Sequence, residues 1–313
     1  MSGGCLVAFY HYVRDAAATP FPGLKALALA DFHAQLDWLG RTRTVIGYDA
    51  FSAARDAGRT PEATALLTFD DGFTDHYDAV FPALRERGWS GVFFLAGQTL
   101  ADPPRVLNVH KTHFLFEAMG ATAFGEAVAR AAAERPAAAE ALAWQSGVYR
   151  YDGRANLEAK HLLNYELPFA DADRILDDLF AAQLGDEAAF ARRLYLSREQ
   201  IADMAAAGMT FGFHTERHRV LARLGEAGQR DELAGGVALV RRLTGQDRVP
   251  FCYPYGHPHT YNADTLAILA DAGYDSAFNT VRRHADLRRD PRYEIPRFDT
   301  RDLPPFTKDV SHA

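Results

Sequence analysis

Cysteine is scarce in this sequence. Only Cys5 and Cys252 occur among 313 residues, which excludes a disulfide framework, and neither belongs to a CxxC pair that would mark a zinc ribbon or a redox dithiol. A reducing compartment is the expectation. There is no surplus of positive charge either. Thirty-four Lys and Arg stand against 41 Asp and Glu, for a formal net charge of −7, so the chain lacks the basic field that draws proteins to phosphate backbones or anionic lipid. Nucleic acid is therefore not an expected partner. No apolar run approaches the ~18 residues that a membrane-spanning helix needs. The apolar stretch at 5–10 has no basic segment ahead of it and is shorter than a secretory h-region, so it reads as a first strand and a cytoplasmic location is expected. No internal repeat or low-complexity linker divides the chain, and one unit over residues 1–313 is the expected organisation.

One phrase recurs three times: a helical pattern ends at glycine and an apolar, β-rich run follows at once. Residues 75–87 lead through Gly88 into 91–95. A helix opening at Ser197, with Gln200 placed for a capping box, runs to Gly208 before 209–213. A third begins near Asn262 and stops at Gly273 before 274–278. Further strands are predicted at 6–10, 65–69, 249–253 and 293–298. Strands joined through helices need crossover connections, which favours a parallel sheet flanked by helices. About seven strands fit a (β/α) barrel or an open doubly wound sheet, and in both the chemistry belongs at the C-terminal strand ends. Between about 101 and 195 the alternation gives way to helical sequence, Ala-rich at 127–143 and aromatic at 149–165. This reads as a helical insertion, either a lid and substrate wall or a cap that only covers apolar surface.

The strongest local signal is Leu66-Leu67-Thr68-Phe69-Asp70-Asp71-Gly72, an apolar strand ending in two carboxylates and a glycine. Consecutive side chains at a strand end point in different directions, so one Asp can reach a metal while its neighbour faces a water. Asp-Asp-Gly is also ordinary turn chemistry. The second signal is Phe213-His214-Thr215-Glu216-Arg217-His218. If the chain enters a helical turn there, the i,i+4 spacing puts both imidazoles on one face. Isolated pairs at this spacing are often surface residues. Together with a carboxylate from another strand, however, two histidines make an open metal site of the catalytic kind.

With these motifs the sequence resembles the polysaccharide deacetylase family, which includes chitin, peptidoglycan and nodulation-type chitooligosaccharide deacetylases. Thr68-Phe69-Asp70-Asp71-Gly72 is similar to the family's first motif and His214-Thr215-Glu216-Arg217-His218 to its second. The resemblance implies a distorted, incomplete (β/α) barrel, with Asp70 as general base and Asp71, His214 and His218 holding one divalent ion. Zinc is the first choice for that donor set; cobalt, nickel and manganese also suit it. The implied reaction is hydrolysis of an N-acetyl amide on a carbohydrate, through water activated at the metal. With a cytoplasmic location, the expected substrate is an amino sugar or glycan precursor, nucleotide- or lipid-linked sugars included.

The sequence departs from the family pattern at two places. The third motif, Arg-x-Pro-Tyr-Gly, is here Cys252-Tyr253-Pro254-Tyr255-Gly256. The family's Arg orients the base, so another cation must hold Asp70, and Arg297 and Arg14 are the candidates. Tyr253, Tyr255 and Arg297 are expected to contact substrate, with the main-chain N–H of Tyr255 in an oxyanion hole as the resemblance implies. The last motif supplies a histidine acid, but residues 294–299 contain none. Candidates for the acid are His110, ranked first, then His11, with His113 and His284 behind them. Two other readings stay open: a hydrolase of a non-sugar amide or cyclic imide, and a carbohydrate-binding pseudoenzyme.

Overall fold

The computed structural model describes residues 4–133, 135 and 154–307. Parts of the Ala-rich and aromatic stretches at 127–143 and 149–165 lie outside these residues. Eight strands, β1 (Leu6–Tyr10), β2 (Thr44–Val45), β3 (Thr64–Phe69), β4 (Val92–Leu95), β5 (Thr210–Phe213), β6 (Phe251–Cys252), β7 (Ala277–Phe278) and β8 (Phe298–Asp299), form one sheet. Its order is β7-β6-β5-β4-β3-β1-β8, with β2 beside β3, and every pairing is parallel. The sheet curls into a half-barrel. Ile295 bridges to Phe278 while β8 pairs with Ala8 and Phe9, so residues 295–299 span the seam between β7 and β1. The strand predicted at 293–298 is thus shared between two partners and regular only at its end.

Among the described residues twelve α-helices accompany the sheet: α1 (Leu29–Thr42), α2 (Tyr48–Asp56), α3 (Phe81–Glu86), α4 (Asn108–Met119), α5 (Ala121–Ala132), α6 (Arg154–His161), α7 (Phe169–Leu184), α8 (Glu187–Leu194), α9 (Arg198–Ala206), α10 (Glu226–Leu233), α11 (Gly236–Thr244) and α12 (Ala263–Asp271). The predicted capping box of α9 is present, Ser197 and Gln200 satisfying each other's backbone N–H groups. The helix expected at 75–87 starts instead as a π-helical turn, His76–Val80, before α3.

The pleat sorts side chains by parity. Leu6, Ala8 and Tyr10 of β1 and Ala65, Leu67 and Phe69 of β3 face outward, packing with Phe32 and Leu36 of α1 and with Met204 of α9. Val7, Leu66, Phe94, Cys252 and Phe278 face inward and pack with Tyr48 and Phe51 of α2. Helix α2 lies across the N-terminal end of the barrel. Phe51 packs 5.8 Å from Phe278, ring centre to ring centre, and the Tyr48 hydroxyl donates to Asp275 at 2.6 Å. Each buried phenyl stabilises by roughly 1.5–3 kcal/mol, and Phe278→Ala would cost about 3–5 kcal/mol. Continued upward, the same parity turns Thr68 and Asp70 into the barrel mouth.

The insertion sits at that mouth. Phe114 of α4, Phe180 of α7, Leu194 of α8 and Tyr195 pack against Tyr12 and Phe73 of the rim. A separate apolar cluster including Leu115, Phe124, Val128, Leu163 and Ile175 holds the insertion helices to one another.

Candidate active site

Asp70 continues β3 by one residue, its backbone N–H donating to Tyr10 O at 2.8 Å. Its carboxylate is buried and gripped by Arg297, which donates from Nη1 to Oδ1 at 2.8 Å and from Nη2 to Oδ2 at 2.9 Å. Such a two-point pair fixes both distance and plane. Arg297 also donates to Asn279 O, Thr68 Oγ1 and Cys252 Sγ, each at 3.0 Å. All five of its N–H groups are therefore engaged: Arg297, although it borders the cavity, gives its hydrogen bonds to Asp70 and its surroundings. The other candidate cation, Arg14, pairs instead with Asp75 at 2.5 Å. Burial raises the Asp70 carboxyl, but Arg297, by charge and hydrogen bond, outweighs it and leaves the group below its ordinary value. Cys252 stands where the family has its arginine. Burial pushes its thiol well above the ordinary value, so it remains S–H and faces Asp70 Oδ2 at 3.6 Å.

Asp71, at φ 75°, turns the opposite way. Its Oδ1 is buried without a hydrogen-bond partner, and two imidazole nitrogens converge on it: His214 Nε2 at 3.5 Å and His218 Nε2 at 3.7 Å. These separations are long for hydrogen bonds. Donors at about 2.0–2.2 Å from a tetrahedral ion, however, lie roughly 3.4 Å from one another. The three residues form a buried cluster whose ligand atoms fall within 4.8 Å of each other. Each histidine suits that task. His214 Nδ1 is 2.7 Å from Cys252 O, which places its proton there and leaves Nε2 as a lone pair toward Asp71. Burial lowers both rings, His218 to about 3, where the neighbouring His214 adds to the effect. Both are neutral donors near pH 7. Asp70, His214 and Cys252 also fall close enough to hold an ion, but the Arg297 guanidinium contacts both Asp70 and Cys252. A cation already occupies that side.

The predicted helical turn at 214–218 is not formed. The segment is a loop in which Thr215 (φ 65°) and His218 (φ 57°) are left-handed and His218 N donates to Thr215 Oγ1 at 2.8 Å. Asp71, Thr215, His218 and Tyr255 are four of the five non-glycine residues with positive φ among the described residues. At about 1–3 kcal/mol each, this strain is concentrated at the cluster.

His110 lies inside the site, 1% exposed, with Nε2 3.1 Å from Asp71 Oδ2 and Nδ1 2.6 Å from the Tyr195 hydroxyl. Its charge and hydrogen bond, with His11 and His218, more than offset the upward effect of burial and hold Asp71 well below its ordinary value. His11, with 45% of its side chain exposed, places Nε2 3.9 Å from Oδ2 of both Asp70 and Asp71. It continues β1 into the mouth, and His76 supports it through Nε2 to His11 O at 2.9 Å. His113 touches the Tyr12 hydroxyl at 3.4 Å, one residue layer from the carboxylates. His284 lies against Arg43 and Phe298, away from the cluster. Tyr255 meets His218 edge-on at 5.0 Å and donates its hydroxyl to Asn164 Oδ1 at 3.2 Å, forming wall as expected. Tyr253 does not. Its ring, 1% exposed, stacks on Tyr261 at 3.9 Å and its hydroxyl is spent on Tyr293 O, because residue 253 shares the outward parity of Phe251.

Asp70, Asp71, His11 and His218 open onto a cavity of about 1230 Å³ whose walls include Phe116 and Asn164 of the insertion. Tyr195, the partner of His110, carried no signal in the sequence beyond its place at the end of the insertion.

Fold and rim together define a parallel (β/α) half-barrel with an Asp-His-His cluster at its C-terminal mouth. The sequence profile of one family, polysaccharide deacetylase, matches residues 57–123 and 179–277, more than half of the chain. The chain belongs to the polysaccharide deacetylase family. It is 29% identical over 91 residues to the putative polysaccharide deacetylase YxkH of Bacillus subtilis, covering 28% of this chain and 30% of that protein. It is 34% identical over 107 residues to the poly-beta-1,6-N-acetyl-D-glucosamine N-deacetylase of Escherichia coli K12, covering 32% of this chain and 15% of that protein. The chain thus spans less than a third of the length of these curated relatives. Among solved structures, Streptococcus pyogenes deacetylase PplD in complex with acetate superposes at a TM-score of 0.58 with 15% identity, covering 95% of this chain and 92% of that one. IcaB from Ammonifex degensii gives 0.57 with 18% identity and the same coverage. At these identities they establish the fold.

Proposed function

We propose that the protein removes N-acetyl groups from a carbohydrate, with one divalent ion, zinc first, held by Asp71, His214 and His218. The observation that carries this reading is the buried, unpartnered Asp71 Oδ1 facing two neutral imidazole nitrogens. When bound there, a divalent ion supplies a water acidified toward pH ~7 and a Lewis-acid contact for a carbonyl. Asp70, ionised and held in plane by Arg297, accepts the proton of the attacking water. His11 gives its proton to the departing sugar nitrogen as the C–N bond breaks, leaving acetate and a free amine. It reaches the cavity, with Nε2 3.9 Å from Oδ2 of both carboxylates. His110 has neither the exposure nor a free nitrogen for that role. Tyr255 forms the wall beside His218 and contributes its main-chain N–H to the oxyanion.

The cavity exceeds the ~300–1,000 Å³ typical for a drug-sized ligand, which favours an oligosaccharide over a single sugar. The named activity of the Escherichia coli relative points to N-acetylglucosamine oligomers as the substrate, free or carried on a nucleotide or lipid.

The test is acetate release from such oligomers and from nucleotide-linked N-acetylhexosamines with zinc added, alongside metal analysis. Parent protein is expected to carry one ion per chain, His214→Ala and His218→Ala to lose it, and His11→Ala to keep it while losing on the order of 10²-fold in turnover. Full metal content in both ligand variants, or no acetate from the fully loaded parent, overturns the reading.

A further inference from the structure

The ligand Asp71 is held from outside the barrel by a chain of hydrogen bonds that begins and ends in the insertion. Leu107 N donates to the Tyr195 hydroxyl at 3.1 Å. The same hydroxyl lies 2.6 Å from His110 Nδ1, and because the Asp71 carboxylate can only accept, His110 carries a proton on Nε2, directed at Asp71 Oδ2 at 3.1 Å. The placement of that proton follows from the donors and acceptors available. One Asp71 oxygen is thereby occupied, and the other is left to the two histidines.

The donor itself has little freedom. Its ring lies 4.7 Å from Phe73, which stacks on Tyr12 at 4.1 Å. The neighbouring Lys111, also buried, forms ion pairs with Asp177 of α7 and Glu187 of α8. Arg105, just before α4, pairs with the same two carboxylates, and Glu187 accepts from Val106 N at 2.9 Å. Helix α4 is therefore tied down on both sides of His110 by groups from the far end of the insertion.

We propose that His110, oriented by Tyr195, is a positioning residue for the metal centre: it fixes Asp71 as a one-oxygen ligand, so the insertion supports the ion as well as walling the cavity. This rests on the metal site proposed above. Groups that orient a ligand in this way typically carry 10–100-fold in metal affinity.

Titration of metal-free protein with Co²⁺, followed by visible absorption against a competing chelator, reads that affinity without turnover. His110→Ala is expected to weaken Co²⁺ about 10–100-fold. His110→Gln, whose amide N–H can still donate to Asp71, is expected to regain most of the loss. Tyr195→Phe keeps the ring and removes only the hydroxyl beside Nδ1; a loss of about 3–10-fold is expected, on the order of one hydrogen bond, and this variant decides the matter should His110→Ala not fold. At saturating Co²⁺, kcat of His110→Ala is expected to stay within about tenfold of parent, since the general base and acid are intact. Parent-like affinity in folded His110→Ala, or in Tyr195→Phe where the alanine variant does not fold, overturns the proposal. So does a large kcat loss with affinity unchanged, which would make His110 a proton donor. A parent that binds no Co²⁺ sinks the metal site itself, and His110's role with it, which separates the two failures.

Discussion

Asp70 and Asp71 are adjacent in the chain, yet the barrel takes one and the insertion the other. Beneath Asp70, the interior supplies a full positive charge that holds both oxygens. Above Asp71, the insertion supplies an imidazole that holds one oxygen and leaves the second without a hydrogen-bond partner. Charge compensation from within the fold makes a permanent anion of fixed plane. Partial compensation leaves a carboxylate that still wants a cation. Two roles from one dipeptide therefore need no difference between the residues, only a backbone reversal at Asp71 (φ 75°) that sends them into opposite surroundings.

The contrast breaks most visibly at Arg297. Arg297→Met strands a buried carboxylate, and urea unfolding is expected to show a loss of about 3–5 kcal/mol; a variant as stable as parent would mean that the barrel does not hold Asp70 by charge. Next in size, Asp70→Asn is expected to retain its ion but turn over on the order of 10²-fold more slowly, about 2.7 kcal/mol on the barrier. Asp71→Asn should lose the ion and recover in part with excess zinc, since mass action refills a weakened site but supplies no base. Identical phenotypes for the two variants would erase the distinction. A third check is the pH dependence of metal-free stability. His218 stays neutral in the folded protein down to about pH 3, whereas unfolded histidine binds its proton near 6.5. The unfolded state therefore holds the extra proton in this window, and stability falls on acidification by about 1.4 kcal/mol per pH unit for this group. Below about pH 4 the depressed carboxyls of Asp70 and Asp71 act in the same direction. His218→Gln should reduce the slope above pH 4 by this one group's share, the remainder coming from other buried rings such as His113, His214 and His284. Smallest is Cys252→Ala, which removes a weak thiol contact and one acceptor of Arg297; about 1 kcal/mol of stability is expected, with turnover within severalfold of parent.

The sequence made Asp70, Asp71, His214 and His218 legible because each follows an apolar strand closely, so local pattern and position coincide. It misled on how the histidines meet, since i,i+4 spacing says nothing of the two left-handed residues that fold the loop. The burial of the Tyr253 ring was recoverable: Cys252 packs inward, and the period-two rule sends its neighbours into the outer cluster. The choice between Arg14 and Arg297 was not, because Arg297 reaches Asp70 across 227 positions of sequence and only barrel closure brings them together. Nor could the ranking of His110 over His11 be settled, since burial and the Tyr195 contact are properties of the packed insertion. Strand β2, two residues long, is too short to show a period. Helix α1 does carry one, Phe32, Leu36 and Leu39 recurring at helical spacing.

Helix α2 makes the barrel a cup. Tyr48 and Phe51 fill its floor beneath Phe94 and Phe278, Thr68, Cys252 and Arg297 fill the layer above, and the cavity beside Asp70 lies over them. Traffic is one-way in geometry and two-way in use. On the proposed function, the acid detached beside Asp70 leaves by the same opening through which the carbohydrate enters. The floor of the barrel, far from any group at the proposed reaction centre, thereby gives entry and exit a shared door.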